Sequence, residues 1–176
     1  MAKTHRHNRF RQVTSILTKT GVYLLIFIVI SQLVQMWQQR DSVSGIAPEV
    51  HALTIDGQQV SLSANSGKPL LLYFWASWCP VCRFQHDSMT DIAKDYEVIS
   101  IAIQSGSDAE IRDSMKVEGA DYPVVNDPDG YLANQYGIRG VPTSFIIDTN
   151  GKIRDQFTGY TTELSMRYRL WFYTNQ

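Results

Sequence analysis

The sequence predicts an α/β fold built on a mixed sheet, and three observations carry that expectation. Apolar runs with the length of buried strands, Leu70 to Trp75 and Glu97 to Ile103, are each followed by a stretch without Gly or Pro that can run as a helix. Strand, helix, strand, helix in that order implies parallel pairing through right-handed crossovers. Near the C-terminus, Asn150-Gly151 separates two further strand-like segments and implies an antiparallel hairpin.

In chain order, His51 to Ile55 and Gln59 to Leu62 flank Asp56-Gly57, a turn pair that favours a two-residue hairpin. Ser66-Gly67-Lys68-Pro69 breaks the chain before the strand Leu70 to Trp75, and Arg83 to Tyr96 reads as the helix after it. Asp108 to Glu118 is expected as a polar-faced helix with Ile111, Met115 and Val117 inward. Tyr122 to Gly130 is a short extended piece closed by a turn, and Tyr131 to Tyr136 a short helix stopping at Gly137. A strand is expected in the second half of Gly137 to Asp148, with Pro142 at its first position, where a missing ladder donor is tolerated. Ile153 to Tyr160 is the returning strand. Thr162 to Tyr173 closes the chain as an amphipathic helix, its apolar stripe being either Leu164, Tyr168 and Trp171 or Met166, Leu170 and Tyr173.

Charge divides the 176 residues unevenly. Residues 1–19 hold Lys3, Arg6, Arg9, Arg11 and Lys19 and no acid, whereas residues 20–176 hold 11 basic and 17 acidic side chains. A basic tail can bind nucleic acid, but the next twenty residues argue otherwise: Thr20 to Gln39 carries no charge, and Val22 to Ile30 is apolar throughout. About 20 such residues span a bilayer core, so the run reads as a transmembrane helix or a signal peptide. Bulky, polar Gln35 to Arg40 comes next in place of the small residues of a cleavage site, which favours an uncleaved anchor over residues 20–39, with Trp37 at the far interface. The positive-inside rule keeps the tail of residues 1–19 in the cytoplasm and puts everything after Arg40 outside it. The expected arrangement is a single-pass inner-membrane protein with residues 40–48 as a linker and residues 49–176 as one periplasmic domain.

Cys79 and Cys82 are the only cysteines, two residues apart in Trp75-Ala76-Ser77-Trp78-Cys79-Pro80-Val81-Cys82. A strand ending in this turn and opening a helix puts the first thiol at the helix N-terminus. There, unsatisfied N–H groups and the positive dipole end favour a thiolate, making Cys79 the nucleophilic member and leaving Cys82 one turn inside to resolve a mixed disulfide. Two other roles stay open. A structural disulfide closing so small a loop would stabilise weakly. A zinc site would need two more ligands, and the four histidines are His5, His7, His51 and His86, two of them in the basic tail.

Trp-Ala-Ser-Trp-Cys-Pro-Val-Cys followed by Gly140-Val141-Pro142-Thr143 resembles the thioredoxin fold, and Asp127 to Gly130 with Tyr136 to Asp148 is similar to its membrane-tethered TlpA/ResA branch. Within that branch the anchor, Leu72-Tyr73-Phe74-Trp75-Ala76, Tyr122 to Pro128 and Arg169-Leu170-Trp171 resemble the suppressor-of-copper-sensitivity proteins. The resemblance implies an extra strand and helix within Val98 to Asn126. It also implies Cys79 as attacking thiol, Cys82 as resolving thiol, Pro80 and Val81 as tuners of redox poise, and a cis bond between Val141 and Pro142. The substrate would dock on Trp78, Val141, Pro142 and Thr143. No cofactor is implied beyond a redox-active Cys79–Cys82 disulfide, and no metal. The implied partners are protein thiols and disulfides, and a membrane electron-transfer protein that keeps the pair reduced.

Departures from the pattern narrow the expectation. The family places a buried acid six residues before the first cysteine or three after the second; here those positions are Tyr73 and Gln85, so no acid there can take the Cys82 proton. The cytochrome-maturation members carry a glutamate in the proline loop, where this chain has Thr143 and Ser144. Peroxide reduction would need Pro-x-x-x-Thr/Ser-x-x-Cys, which is absent before Cys79. His86 falls on the same helical stripe as both cysteines, so a thiol/imidazole copper site made of Cys79, Cys82 and His86 is the alternative from another class. A protonated His86 near the thiols would instead raise their thiolate content.

Overall fold

In the computed structural model of the chain, residues 21–30, 45–62 and 68–174 are described. The chain divides into two compact units, Met1–Asp41 and Ser42–Gln176. In the first, residues 21–30 are helical (α1), with every side chain from Val22 to Ile30 apolar and exposed. Ten helical residues rise on the order of 15 Å, half a bilayer core. Among the described residues no helix is long and apolar enough to cross a membrane. Half of the expected anchor and the whole basic tail lie outside the described residues.

The second unit runs β1 (Gly45–Ile46), β2 (Val50–Leu53), β3 (Gln59–Leu62), β4 (Leu70–Trp75), α2 (Pro80–Ala93), β5 (Glu97–Ile103), α3 (Asp108–Glu118), β6 (Val124–Asp127), α4 (Tyr131–Gln135), β7 (Thr143–Ile147), β8 (Lys152–Thr158) and α5 (Glu163–Thr174). Six strands form one sheet in the order β1-β8-β7-β4-β5-β6, and β2 and β3 form a separate antiparallel pair. β4, β5 and β6 are parallel through the α2 and α3 crossovers, while β7, β8 and β1 are antiparallel to their neighbours. This is the expected thioredoxin-type mixed sheet, with α3 and β6 supplying the extra helix and strand.

β4 is central and buried at all six positions, because both its faces are covered. Leu71, Tyr73 and Trp75 point into a core shared with Met89 and Ile92 of α2, Ile111 and Met115 of α3, and Met166 and Leu170 of α5. Leu70, Leu72 and Phe74 point the other way, into a core with Val50 and Leu62 of the hairpin, Tyr136 and Phe145. Each large side chain buried this way contributes roughly 1.5–3 kcal/mol. The register Phe74↔Thr143 brings the start of β7, and the Val141-Pro142 segment before it, beside the end of β4 where the Cys79 turn begins.

Three expectations need correction, and one alternative is decided. Residues 40–48 are not wholly a linker: Gly45 and Ile46 pair with Ile153 and Lys152, and the Ala47 N–H donates to Gly151 O at 2.8 Å. The β2–β3 connection is five residues long and not two. Thr54 leaves the hairpin to bridge Val125, and its hydroxyl accepts the Gln58 N–H at 3.1 Å. Val117 is 87 % exposed, since Gly119 in the left-handed region (φ 68°) ends α3 before another inward turn is complete. In α5 the Met166/Leu170 stripe faces the core, and Leu164, Tyr168 and Trp171 are exposed.

Gln85, fully buried on α2, holds the β8–α5 connection at two points. Its Nε2 donates to Thr161 O at 2.7 Å and its Oε1 accepts the Thr161 N–H at 3.0 Å. Gln85→Ala leaves both backbone groups without partners and should cost about 2–4 kcal/mol in urea unfolding. Asp148 gives the fold an acid-sensitive point. Burial alone pushes its carboxyl up, but the Lys152 and Asn150 N–H groups and the Arg154 guanidinium outweigh that and hold it below the usual carboxylate range. The unfolded chain therefore takes up this proton at higher pH than the folded one, so the contribution is present above about pH 4 and is lost as pH falls through the folded value. Asp148→Asn should lower stability at pH 7, and the gap to the parent protein should close as urea titrations move to pH 3.

Candidate active site

The site starts from the cap of α2. Cys79 has extended dihedrals (φ −92°, ψ 109°), and its sulfur accepts the Cys82 N–H at 3.3 Å, the position in which a polar side chain satisfies one of the open donors of a helix start. Pro80 follows at the first helical position, where its missing N–H costs nothing, and no acidic residue stands in the first turn. A charge on Cys79 therefore meets a donor and the positive dipole end with no opposing carboxylate on its own helix. Cys79 is joined to Cys82 as a disulfide, with Cα atoms 5.4 Å apart. Cys82 is fully buried and Cys79 nearly so.

Opposite the pair stands the loop before β7. The Val141-Pro142 bond is cis as expected, and Cys79 Sγ lies 3.5 Å from Val141 O. Of the expected docking residues, Val141 thus meets the disulfide through its carbonyl, with buried Pro142 next to it in the chain and Trp78 immediately before Cys79. Thr143 does not join them. It is buried in β7, its hydroxyl donating to Gly140 O at 2.8 Å, so it fixes the loop and presents no side chain to a partner. Trp78 is 61 % exposed, which rules out a core role for it, and its indole N–H donates to Gln104 O at 3.2 Å. Val81 is exposed, Pro80 with it.

Several contributors were not foreseen from the sequence. Phe84, 76 % exposed and one turn after Val81, extends the apolar rim formed by Trp78 and Val81. The only signal for it was the i, i+3 spacing on the solvent side of α2. The loop after β5 braces the turn: the Ser77 N–H donates to Ser105 Oγ at 3.0 Å, and Ser105 Oγ donates to Ile103 O at 2.9 Å. Gln104 holds a left-handed φ of 45° there while its carbonyl receives Trp78.

His86 is buried with both ring nitrogens engaged. Nδ1 is paired with the Tyr122 hydroxyl, and Nε2 lies 2.7 Å from Glu118 Oε2. The edge of the ring system meets Trp75 at 4.8 Å between centroids. Burial lowers its pKa to about 4, so it is neutral at physiological pH and does not supply the positive charge expected near the thiols. With both nitrogens held, it is also withdrawn from a copper site with Cys79 and Cys82. Among the described residues no group of three or more His, Cys, Asp or Glu is placed to hold a metal. Tyr73 and Gln85, at the positions where an acid was sought, are both buried, and Gln85 is committed to Thr161.

Comparison with known proteins agrees with this geometry. Residues 43–156 match the AhpC/TSA family. A thioredoxin-like protein of Haemophilus influenzae is 33 % identical over 159 residues, covering 89 % of this chain and 94 % of the relative. The thiol-disulfide oxidoreductase ResA of Bacillus subtilis is 28 % identical over 82 % of this chain and 86 % of its own. Among solved structures, the exposed lipoprotein thioredoxin of Streptococcus pneumoniae superposes with a TM-score of 0.62 at 31 % identity, covering 71 % of this chain and 99 % of that one. StoA of Bacillus subtilis superposes with a TM-score of 0.61 at 25 % identity, covering 69 % and 95 %. A two-cysteine helix cap facing a cis-proline loop, on a sheet shared with these proteins, makes the chain a member of the AhpC/TSA family and, within it, a thioredoxin-like thiol-disulfide oxidoreductase of the TlpA/ResA type.

Proposed function

We propose that the protein is a membrane-tethered, periplasm-facing reductase of protein disulfides, of the suppressor-of-copper-sensitivity type, kept reduced by a membrane electron-transfer protein. The observation that carries the reading is Cys79 at the N-cap of α2, its sulfur accepting the Cys82 N–H and facing Val141 O across the cis-proline loop. In the reducing direction the Cys79 thiolate attacks one sulfur of a substrate disulfide and the other leaves as a thiolate. Cys82 then loses its proton and attacks Cys79 Sγ, closing the protein disulfide and releasing the second substrate thiolate. Two electrons pass from the dithiol to the substrate. The Val141 segment beside Cys79 offers an extended substrate segment a place to pair, and exposed Trp78, Val81 and Phe84 offer it apolar surface.

The tether is supported by the uncharged stretch from Thr20 to Gln39 behind a tail holding five basic residues and no acid, and by the exposed apolar surface of α1. Its placement outside the cytoplasm follows from the same asymmetry. The likeness of the Tyr122 to Pro128 and Arg169 to Trp171 segments to the copper-sensitivity proteins supports the link to copper stress.

Cys82→Ala should accumulate mixed disulfides with partner proteins through Cys79, visible on non-reducing gels and collapsed by reductant; Cys79→Ala should trap none. Failure of Cys82→Ala to trap any partner, with copper retained by the parent protein after dialysis, would favour the metal reading instead. The Cys79/Cys82 potential should lie near about −270 mV, and a value roughly 150 mV higher would overturn the reducing direction. In cell fractionation the full chain should stay with membranes through alkaline carbonate washing, and a chain lacking residues 1–40 should not.

A further inference from the structure

Cys82 must shed a proton each time it closes the disulfide and regain one each time the disulfide opens, yet it is fully buried. One turn further along the same buried stripe of α2 stands His86. Around it is a group of polar atoms that the exchange reaction does not use. Tyr122 presents its hydroxyl to His86 Nδ1, and Glu118 brings Oε2 to 2.7 Å from Nε2. With Tyr122 donating to Nδ1, the imidazole proton sits on Nε2, beside a buried Glu118 Oε2 that has no aligned hydrogen bond of its own. Arg83 approaches the other oxygen of Glu118 at 3.1 Å and is itself 62 % exposed, and Glu118 retains 14 % exposure. The group therefore runs from the buried helix face to solvent. Tyr73, in the same core cluster as Cys82, carries a buried hydroxyl with no hydrogen-bond partner among the described residues.

From this arrangement we infer that His86 and Glu118 form the proton-accepting pair behind Cys82 in the resolving step. The inference rests on the proposed thiol-disulfide exchange. The proton lost by Cys82 as its thiolate forms is taken by the imidazole–carboxylate pair, whose excess negative charge falls by one, and leaves to water from Glu118. Reduction of the disulfide runs the transfer backwards. No other co-reactant is needed.

The charges facing the pair are those of α2, Arg83 and Asp87; the hydroxyls are Tyr73 from β4 and Tyr122 from the segment before β6. Burial raises the Glu118 carboxyl above the usual range and lowers the imidazole, with Asp87 opposing that fall and Arg83 adding to it.

The reaction of the reduced protein with 5,5′-dithiobis(2-nitrobenzoate) separates the steps. The first thionitrobenzoate released reports attack by Cys79, and the second reports resolution by Cys82. Glu118→Gln keeps an acceptor for His86 Nε2 while removing the charge. It should lower the ratio of second-phase to first-phase rate at pH 7 by about tenfold or more and abolish an inflection in the second-phase pH profile of the parent protein. Tyr122→Phe, which deletes only a hydroxyl, should shift that inflection, and decides the matter if Glu118→Gln does not fold. An unchanged ratio, or a parent profile without the inflection, would overturn the inference. A parent protein that releases no thionitrobenzoate would overturn the exchange reading instead.

Discussion

The hydrogen bond from the Cys82 N–H to Cys79 Sγ is the contact around which the second unit is arranged. A cysteine serving as a helix cap can hold charge only if the helix beneath it is immobile, since the donor and the dipole lose their value within about one turn. Immobility comes from the buried stripe of α2, in which Gln85 grips Thr161, His86 lies against Trp75, and Met89 and Ile92 enter the core. The same sheet that carries α2 also sets the opposing wall. β4 is flanked by β5 on one side and β7 on the other, so the turn after β4 and the loop before β7 emerge at one end of adjacent strands.

Much of this was legible in the sequence because it is local. Glu97 to Ile103 and Asp108 to Glu118 match the observed β5 and α3, since continuous apolar runs and a Ser107/Glu110 capping box are encoded within a few residues. Asn150-Gly151 gave the last hairpin for the same reason. The Cys79 turn came from residue types at fixed spacing, and the cis Val141-Pro142 bond from the resemblance to the thioredoxin fold.

What was missed is non-local or depends on which of two faces wins. A two-residue strand such as β1 has no periodicity, and only its partner β8 makes it a strand. In α5 both candidate stripes were apolar and the sequence left the choice open; packing of α5 on α2 and β7 chose Met166 and Leu170. The pairing of His86 with Glu118 joins two helices across β5, and nothing in either segment announces the other. Thr143 was read as a docking residue from its neighbours, while its place as the first residue of β7 turns it inward.

The position of β1 at the sheet edge has a mechanical consequence. Among the described residues, the front of the second unit is held by a ladder of two residue pairs on β8, backed by the Ala47 N–H on Gly151 and the Tyr136 hydroxyl on Pro48 O at 2.6 Å. In the strand order, β8 and β7 stand between β1 and β4, a span of about 14 Å at ordinary strand spacing. Tension arriving along the chain from its N-terminal side therefore meets the outermost ladder first, two strands away from β4 and the cysteine turn. The edge strand works as a strain relief between whatever holds the front of the chain and the chemistry at its centre.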